Sequence, residues 1–176
     1  MRVVSVAGLA IVALCVGCST APDAQPVPDS DGESNYFLNT LRGYSFSHPA
    51  HYDVGVYDED GIALFVGSLL NVEAPRLDVV VEPARGSDAA TIADQTAAGF
   101  PDLELARSSL TLGGEQAVVL DGVPGQDLSR IVIAVHNERL HKLTFRPVDP
   151  DNVALMAELE ALYEEVTDSY TFDPAP

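Results

Sequence analysis

The sequence predicts an α+β domain, a three-layer sandwich in which a central, mainly antiparallel sheet carries helices on both faces. Three observations carry that expectation. In Arg130–Pro147 an apolar run, Ile131–Val135, is followed by the polar stretch His136–Arg139 and a second run on Leu140, Leu143 and Phe145, the pattern of an antiparallel hairpin. Ile62–Val66, Ala117–Leu120 and Ile131–Val135 have no polar face, so each asks for cover on both sides of a sheet. Leu155, Leu159, Leu162 and Val166 recur at helical spacing and give a helix one apolar stripe.

From the N-terminus, Met1-Arg2 and the 14 uncharged residues Val3–Val16 have the form of an export signal, and the run is short for a membrane span. Cys15-Val16-Gly17-Cys18-Ser19 resembles a bacterial lipoprotein signal, which implies removal of residues 1–17 and lipid attachment at Cys18. Cys15 stands where such signals usually carry an aliphatic residue. An uncleaved anchor over Val3–Pro22 and ordinary secretory cleavage are the alternatives, and all three readings export the domain. Residues 18–35 form the expected tether, since Ser19–Asn35 has three prolines, four acids and one large apolar side chain, Val27.

The globular body is expected over residues 36–173, with 174–176 as a tail. Tyr44–Ser47 alternates and ends at Pro49, and Tyr52–Tyr57 forms a second strand before the turn Asp58–Gly61. In Arg76–Glu82, Leu77, Val79 and Val81 face a core while Asp78 and Glu82 face outward. Ser87-Asp88 caps a helix carrying Ile92, Thr96 and Phe100, and Pro101 stops it. Leu103–Leu112 reads as a strand with a bulge at Ser108-Ser109, and Gly113-Gly114 as a turn. Asp149 caps the last helix with Pro150 at its first position, and Ser169–Phe172 closes as a short strand.

Composition narrows function. The 176 residues carry nine Lys+Arg against 27 Asp+Glu, a formal charge of -18, with Lys142 the one lysine. Such a surface repels nucleic-acid backbones and anionic lipid, and suits solubility or attraction to a basic protein. Both cysteines lie in the first 18 residues, so the body has no thiol for a disulfide, a metal or nucleophilic catalysis.

His48-Pro49-Ala50-His51 followed by Asp53 supplies three candidate metal ligands, but Pro49 holds the chain extended and separates the rings. The preferred reading is a surface pair, and no metal site is assigned. In a two-residue hairpin loop Asn137-Glu138, His141 lies opposite Ala134 and His136 opposite Arg139, placing both histidines on one face near the sheet rim; a hydrogen-bonded edge role is the preferred reading for each and a surface site the alternative. Glu138 resists positive φ, so a three- or four-residue loop is the competing register. No serine sits in G-x-S-x-G, no S-x-x-K occurs, and Leu112-Gly113-Gly114-Glu115 lacks the rest of a phosphate loop. No catalytic residue and no cofactor is expected.

Gly43-Tyr44-Ser45-Phe46-Ser47-His48-Pro49 with Tyr52 resembles the opening of the PsbP-like family, which includes accessory lumenal subunits of photosystem II and many bacterial lipoproteins. Leu112-Gly113-Gly114 with Ala117-Val118, Arg139–Phe145, and Tyr170-Thr171-Phe172 after the long helix are similar to its later elements. The resemblance implies the three-layer fold and transfers no site residue. A closed β-barrel holding a lipid is the alternative architecture, opposed by the three non-alternating runs. The expected function is a non-catalytic binding or accessory domain, lipid-anchored on the extracytoplasmic side of a cell or outer membrane. The alternatives are a hydrolase with dispersed Ser, His and Asp, or a metal-binding lipoprotein.

Overall fold

The computed structural model describes residues 24–28, 34–56, 61–71 and 73–173. Cys18, the export signal and the expected C-terminal tail lie outside them, as does most of the turn before Gly61. Two antiparallel sheets form. The smaller has the order β1 (Ala24–Pro28), β2 (Ser34–Asn39), β3 (Tyr44–Pro49), β11 (Thr171–Phe172). The larger runs β4 (Asp53–Val56), β5 (Gly61–Phe65), β6 (Arg76–Pro83), β10 (Arg139–Arg146), β9 (Ser129–His136), β8 (Glu115–Val123), β7 (Ala106–Leu112). Two helices, α1 (Ala89–Ala98) and α2 (Val153–Ser169), complete the described elements.

Strand periodicity sorts the large sheet's side chains between two cores. Leu77, Val79, Val119, Val132, Ala134, Leu143 and Phe145 face one way, together with Phe37, Tyr44 and Phe46 of the small sheet and Leu159, Leu162 and Val166 of α2. Val118, Leu120, Ile131, Ile133 and Leu140 face the other way, where Ala89 and Ala93 of α1 cover them. Each fully buried Leu, Ile or Phe contributes about 1.5–3 kcal/mol. This is why β8 and β9 lie inside the sheet: their alternate residues are apolar on both sides.

The expected helical layers on both faces form only in part. On one face the covering layer is largely a second sheet, because residues 34–49 alternate with period two and present Phe37, Tyr44 and Phe46 on a pleated surface. On the other, α1 packs on β8 and β9 and leaves the β4–β6 half uncovered by any described helix. The sheet is open, with β4 and β7 at opposite edges, so the barrel alternative falls.

Three local expectations are corrected. Ala24–Pro28, inside the expected tether, pairs with β2 from Ala24 opposite Asn39 to Pro28 opposite Asn35. It is an edge strand, where Pro26 and Pro28 need not donate to a ladder on both sides. The bulge lies in β8, where the register with β9 shifts between Leu120 and Val123 and Gly122 adopts φ 76°; β7 pairs without a break. Helix α2 is capped by Asn152, whose Oδ1 accepts from Leu155 N at 3.2 Å, while Asp149 and Pro150 form the preceding turn. The Leu155, Leu159, Leu162, Val166 stripe is buried as its spacing requires, and Asp88 caps α1 by accepting from Thr91 N at 2.7 Å.

Ile133 and Leu143 are both fully buried, one toward each core. Ile133→Asp or Leu143→Asp should therefore cost more than about 4 kcal/mol, whereas Glu164→Ala on the exposed side of α2 should stay within about 0.5 kcal/mol. Urea melts of the three variants against the parent chain measure the contrast.

Candidate functional site

The hairpin turn and the C-terminal segment meet at one end of the large sheet. Asn137 and Glu138 adopt φ 47° and 61°, the pair of positive values a two-residue type I′ turn needs. The two-residue register therefore wins over the longer loop: Arg139 pairs with His136 and His141 with Ala134. Both histidines lie on the face toward the small sheet. Thr171-Phe172 adds to β3 there, and Asp173 N donates to Gly43 O at 2.8 Å.

His136 sits between two carboxylates. Its Nδ1 donates to Glu115 Oε1 at 2.8 Å and its Nε2 to Asp173 Oδ2 at 2.9 Å, while the ring stacks on Phe172 at 4.6 Å and 12°. Carboxylates only accept, so the two acids favour the doubly protonated ring, while Asn137 Nδ2 also lies 2.9 Å from Nε2. Burial by itself would lower its pKa, but the hydrogen bonds to Glu115 and Asp173 outweigh that and raise it. The bond from His136 is in turn the main reason the Asp173 carboxyl titrates below its usual range. Asn137 Nδ2 also donates to Asp173 Oδ2 at 2.9 Å.

His141 is its opposite. The ring is buried, shares a 2.9 Å hydrogen bond between Nδ1 and Tyr170 Oη, and meets Tyr44 and Phe172 edge-on. Burial, followed by the positive charges of His136 and Arg139, lowers its pKa to about 4. Desolvation likewise raises the Tyr170 phenol well above its ordinary value. A cleft of about 330 Å³ opens beside them, lined by Thr40, Arg42, Gly43, His136, Asn137, His141 and Asp173 among others.

Two glycines admit this closure. A Cβ on Gly43, at φ 69°, would lie 2.6 Å from Asp173 Oδ1, and one on Gly113, at φ 54°, would lie 2.7 Å from the Phe172 ring. The expected surface site is corrected for His141, which alternation in β10 turns into the core; sequence reasoning placed the two histidines on one face but missed Glu115, Asp173 and Phe172. The usable signal was the closing Tyr170-Thr171-Phe172 strand, which must dock against some part of the sheet.

A general base needs a free lone pair, and both nitrogens of His136 are engaged by acids. Among the described residues no serine hydroxyl hydrogen-bonds His136 or His141; Ser45 Oγ instead bonds Thr171 Oγ1 at 2.7 Å.

His48, His51 and Asp53 do not gather as a surface cluster. His48 is fully buried, its pKa lowered by desolvation, with Nδ1 near Pro49 O at 3.1 Å and Nε2 unpartnered. His51 is exposed, stacks near Tyr52 and faces Glu158 Oε1 at 3.4 Å. The expectation of a surface pair is thus corrected for His48: alternation in β3 turns it inward with Tyr44 and Phe46. Among the described residues no group of three or more His, Cys, Asp or Glu could hold a metal. None of the described helices is long and apolar enough to cross a membrane.

No protein-family model matches the chain, and no curated protein sequence does either. Among solved structures, it is similar to the solution structure of cyanobacterial PsbP (CyanoP) from Synechocystis sp. PCC 6803, with a TM-score of 0.55 and 11% identity over 80% of this chain and 93% of that one. The fold is PsbP-like. A crystal structure from Bacteroides thetaiotaomicron also matches, at a TM-score of 0.40 and 9% identity over 73% of this chain and 44% of that one. At this identity the similarity shows the fold alone.

The two histidines should give stability opposite pH dependences. His136, with its pKa raised in the folded chain, stabilises fully below its unfolded pKa of 6.5 and loses that contribution as pH rises through the raised value. His141, buried and neutral, costs stability as pH falls from 6.5 toward about 4, where the unfolded chain alone takes up the proton. In melts across pH 4 to 9, His136→Gln should abolish the decline above pH 6.5 and leave the His141 limb in place. Gly43→Ala should destabilise by about 1–3 kcal/mol and expose the C-terminal segment to hydrogen exchange.

Proposed function

We propose that this chain is an exported accessory or binding domain without catalytic activity, lipid-anchored through Cys18 on the extracytoplasmic face of a cell or outer membrane. The observation that carries the non-catalytic part is the closed histidine cluster: His136 has both ring nitrogens bonded to carboxylates, and His141 is buried against Tyr170. A hydrolase would need one of these rings free beside a nucleophile. The PsbP-like fold supports the accessory reading, since the family resemblance in Gly43–Pro49 implies non-catalytic lumenal subunits and bacterial lipoproteins. Gly17-Cys18 supplies the anchor. The formal charge of -18 favours a basic protein partner and disfavours nucleic acid, with an attraction that salt weakens.

Mass spectrometry of the mature N-terminus tests the anchor. A thioether-linked diacylglycerol on Cys18, lost in Cys18→Ala together with precursor processing, is the expected result; an intact Met1 or a free N-terminus further on contradicts it. An esterase and peptidase screen tests the rest: turnover abolished by His136→Gln or His141→Gln in a folded variant would make the chain an enzyme.

A further inference from the structure

The large sheet has two dissimilar ends. One carries the turns at Gly113-Gly114 and Asn137-Glu138, the His136 cleft, and Ala24, paired with Asn39 next to the Gly43 turn. At the other end the loop residues 66–71 and 73–75, 124–128 and 147–152 gather. Val148 N donates to Leu128 O at 2.8 Å and Arg76 Nη1 to Leu69 O at 3.0 Å, joining these loops to one another and to the sheet.

This second end exposes apolar surface. Leu69, Leu70, Leu128 and Val153 are 39%, 88%, 43% and 79% exposed, and they are four of the seven large hydrophobic side chains exposed among the described residues. Two clefts of about 210 and 670 Å³ adjoin here, sharing Asp127 and Pro147 in their walls. Their charges are unbalanced. Arg76 and Arg146 are both tied to Asp78, whereas Glu73, Asp127 and Asp149 have no ion-pair partner among the described residues.

We propose that this end is a docking surface for a basic, amphipathic segment of another exported protein. Apolar side chains of such a segment would seat on Leu70 and Leu128, and its cations would meet Glu73, Asp127 and Asp149. A second copy of this chain fits poorly, because a two-fold contact would set the same unpaired acids against each other. Lipid fits poorly for two reasons. Unpaired carboxylates repel anionic headgroups, and a lipid on Cys18 lies six residues before Ala24, a reach of about 20 Å. That short link turns the His136 end toward the bilayer and the Leu70 end away from it, across a strand of eight residues spanning about 27 Å. This orientation rests on the lipid-anchor reading above.

The chain has no tryptophan, so Leu70→Trp gives a single reporter at an exposed position. The full lipidated chain carrying it is reconstituted in phosphatidylcholine vesicles and titrated with a synthetic leucine–lysine amphipathic helix and its leucine–glutamate counterpart. Emission should stay at the water-exposed wavelength on reconstitution, then shift blue and saturate with the lysine peptide alone. The triple variant Glu73→Gln/Asp127→Asn/Asp149→Asn should weaken binding about tenfold or more, and Glu164→Gln/Asp168→Asn on α2 should leave it unchanged. A blue shift on reconstitution alone, equal losses in both charge variants, or no saturable response to the lysine peptide would overturn the proposal. An unlipidated N-terminus with the peptide response intact removes the anchor reading and supports the docking surface by itself.

Discussion

Two-sided burial of the strands β8 and β9 is the constraint on which the rest of the structure depends. Val132 and Ala134 point to one core, Ile131 and Ile133 to the other, so neither face of β9 can be left to water. One face takes α1, whose small Ala89 and Ala93 allow a close approach. The other takes the small sheet and α2 together, with Tyr44, Phe46 and Tyr170 packed as near-parallel rings at 5.7 to 6.2 Å. The C-terminal residues are therefore part of the cover, and their closure against Gly43 and Gly113 follows from it.

The same closure decides the electrostatics. Nine basic residues serve 27 acids, and the arginines Arg76, Arg107, Arg130 and Arg146 are committed to internal pairs. Arg130 binds both Asp121 and Glu160 at 2.6 Å and lies 4.6 Å over the Tyr163 ring. Arg107 pairs with Asp94 across to α1, and Asp78 holds two arginines at once. His136 joins this set as a cation clasped by two acids. Cations gathered inside such pairs leave the acids elsewhere unopposed, which is the physical basis for expecting a basic partner.

Much of the fold was legible because strand burial writes itself into period two. Leu77, Val79 and Val81 announced a core face, and Ile131–Val135 announced a strand with no exposed side. The second sheet was not legible, since Tyr44–Ser47 looks the same whether it joins the main sheet or a separate one. Asn152 displaced Asp149 as the α2 cap because two capping residues lay three apart and local sequence does not rank them. The histidine face was legible from hairpin register; its acidic partners were not, because Glu115 and Asp173 are brought in from 21 and 37 residues away. Exposed loops such as Ser68–Asn71 carried no periodic signal.

Nitrogen-15 NMR of the imidazole rings in the full chain tests most directly whether the histidine cluster is a structural clasp. At neutral pH His136 should show both ring nitrogens protonated, with couplings to Glu115 and Asp173, while His141 stays neutral in one tautomer until pH falls toward about 4. A His136 ring that is neutral at pH 7, with one nitrogen unprotonated and open to solvent, would contradict it, because that ring could serve as a catalytic base.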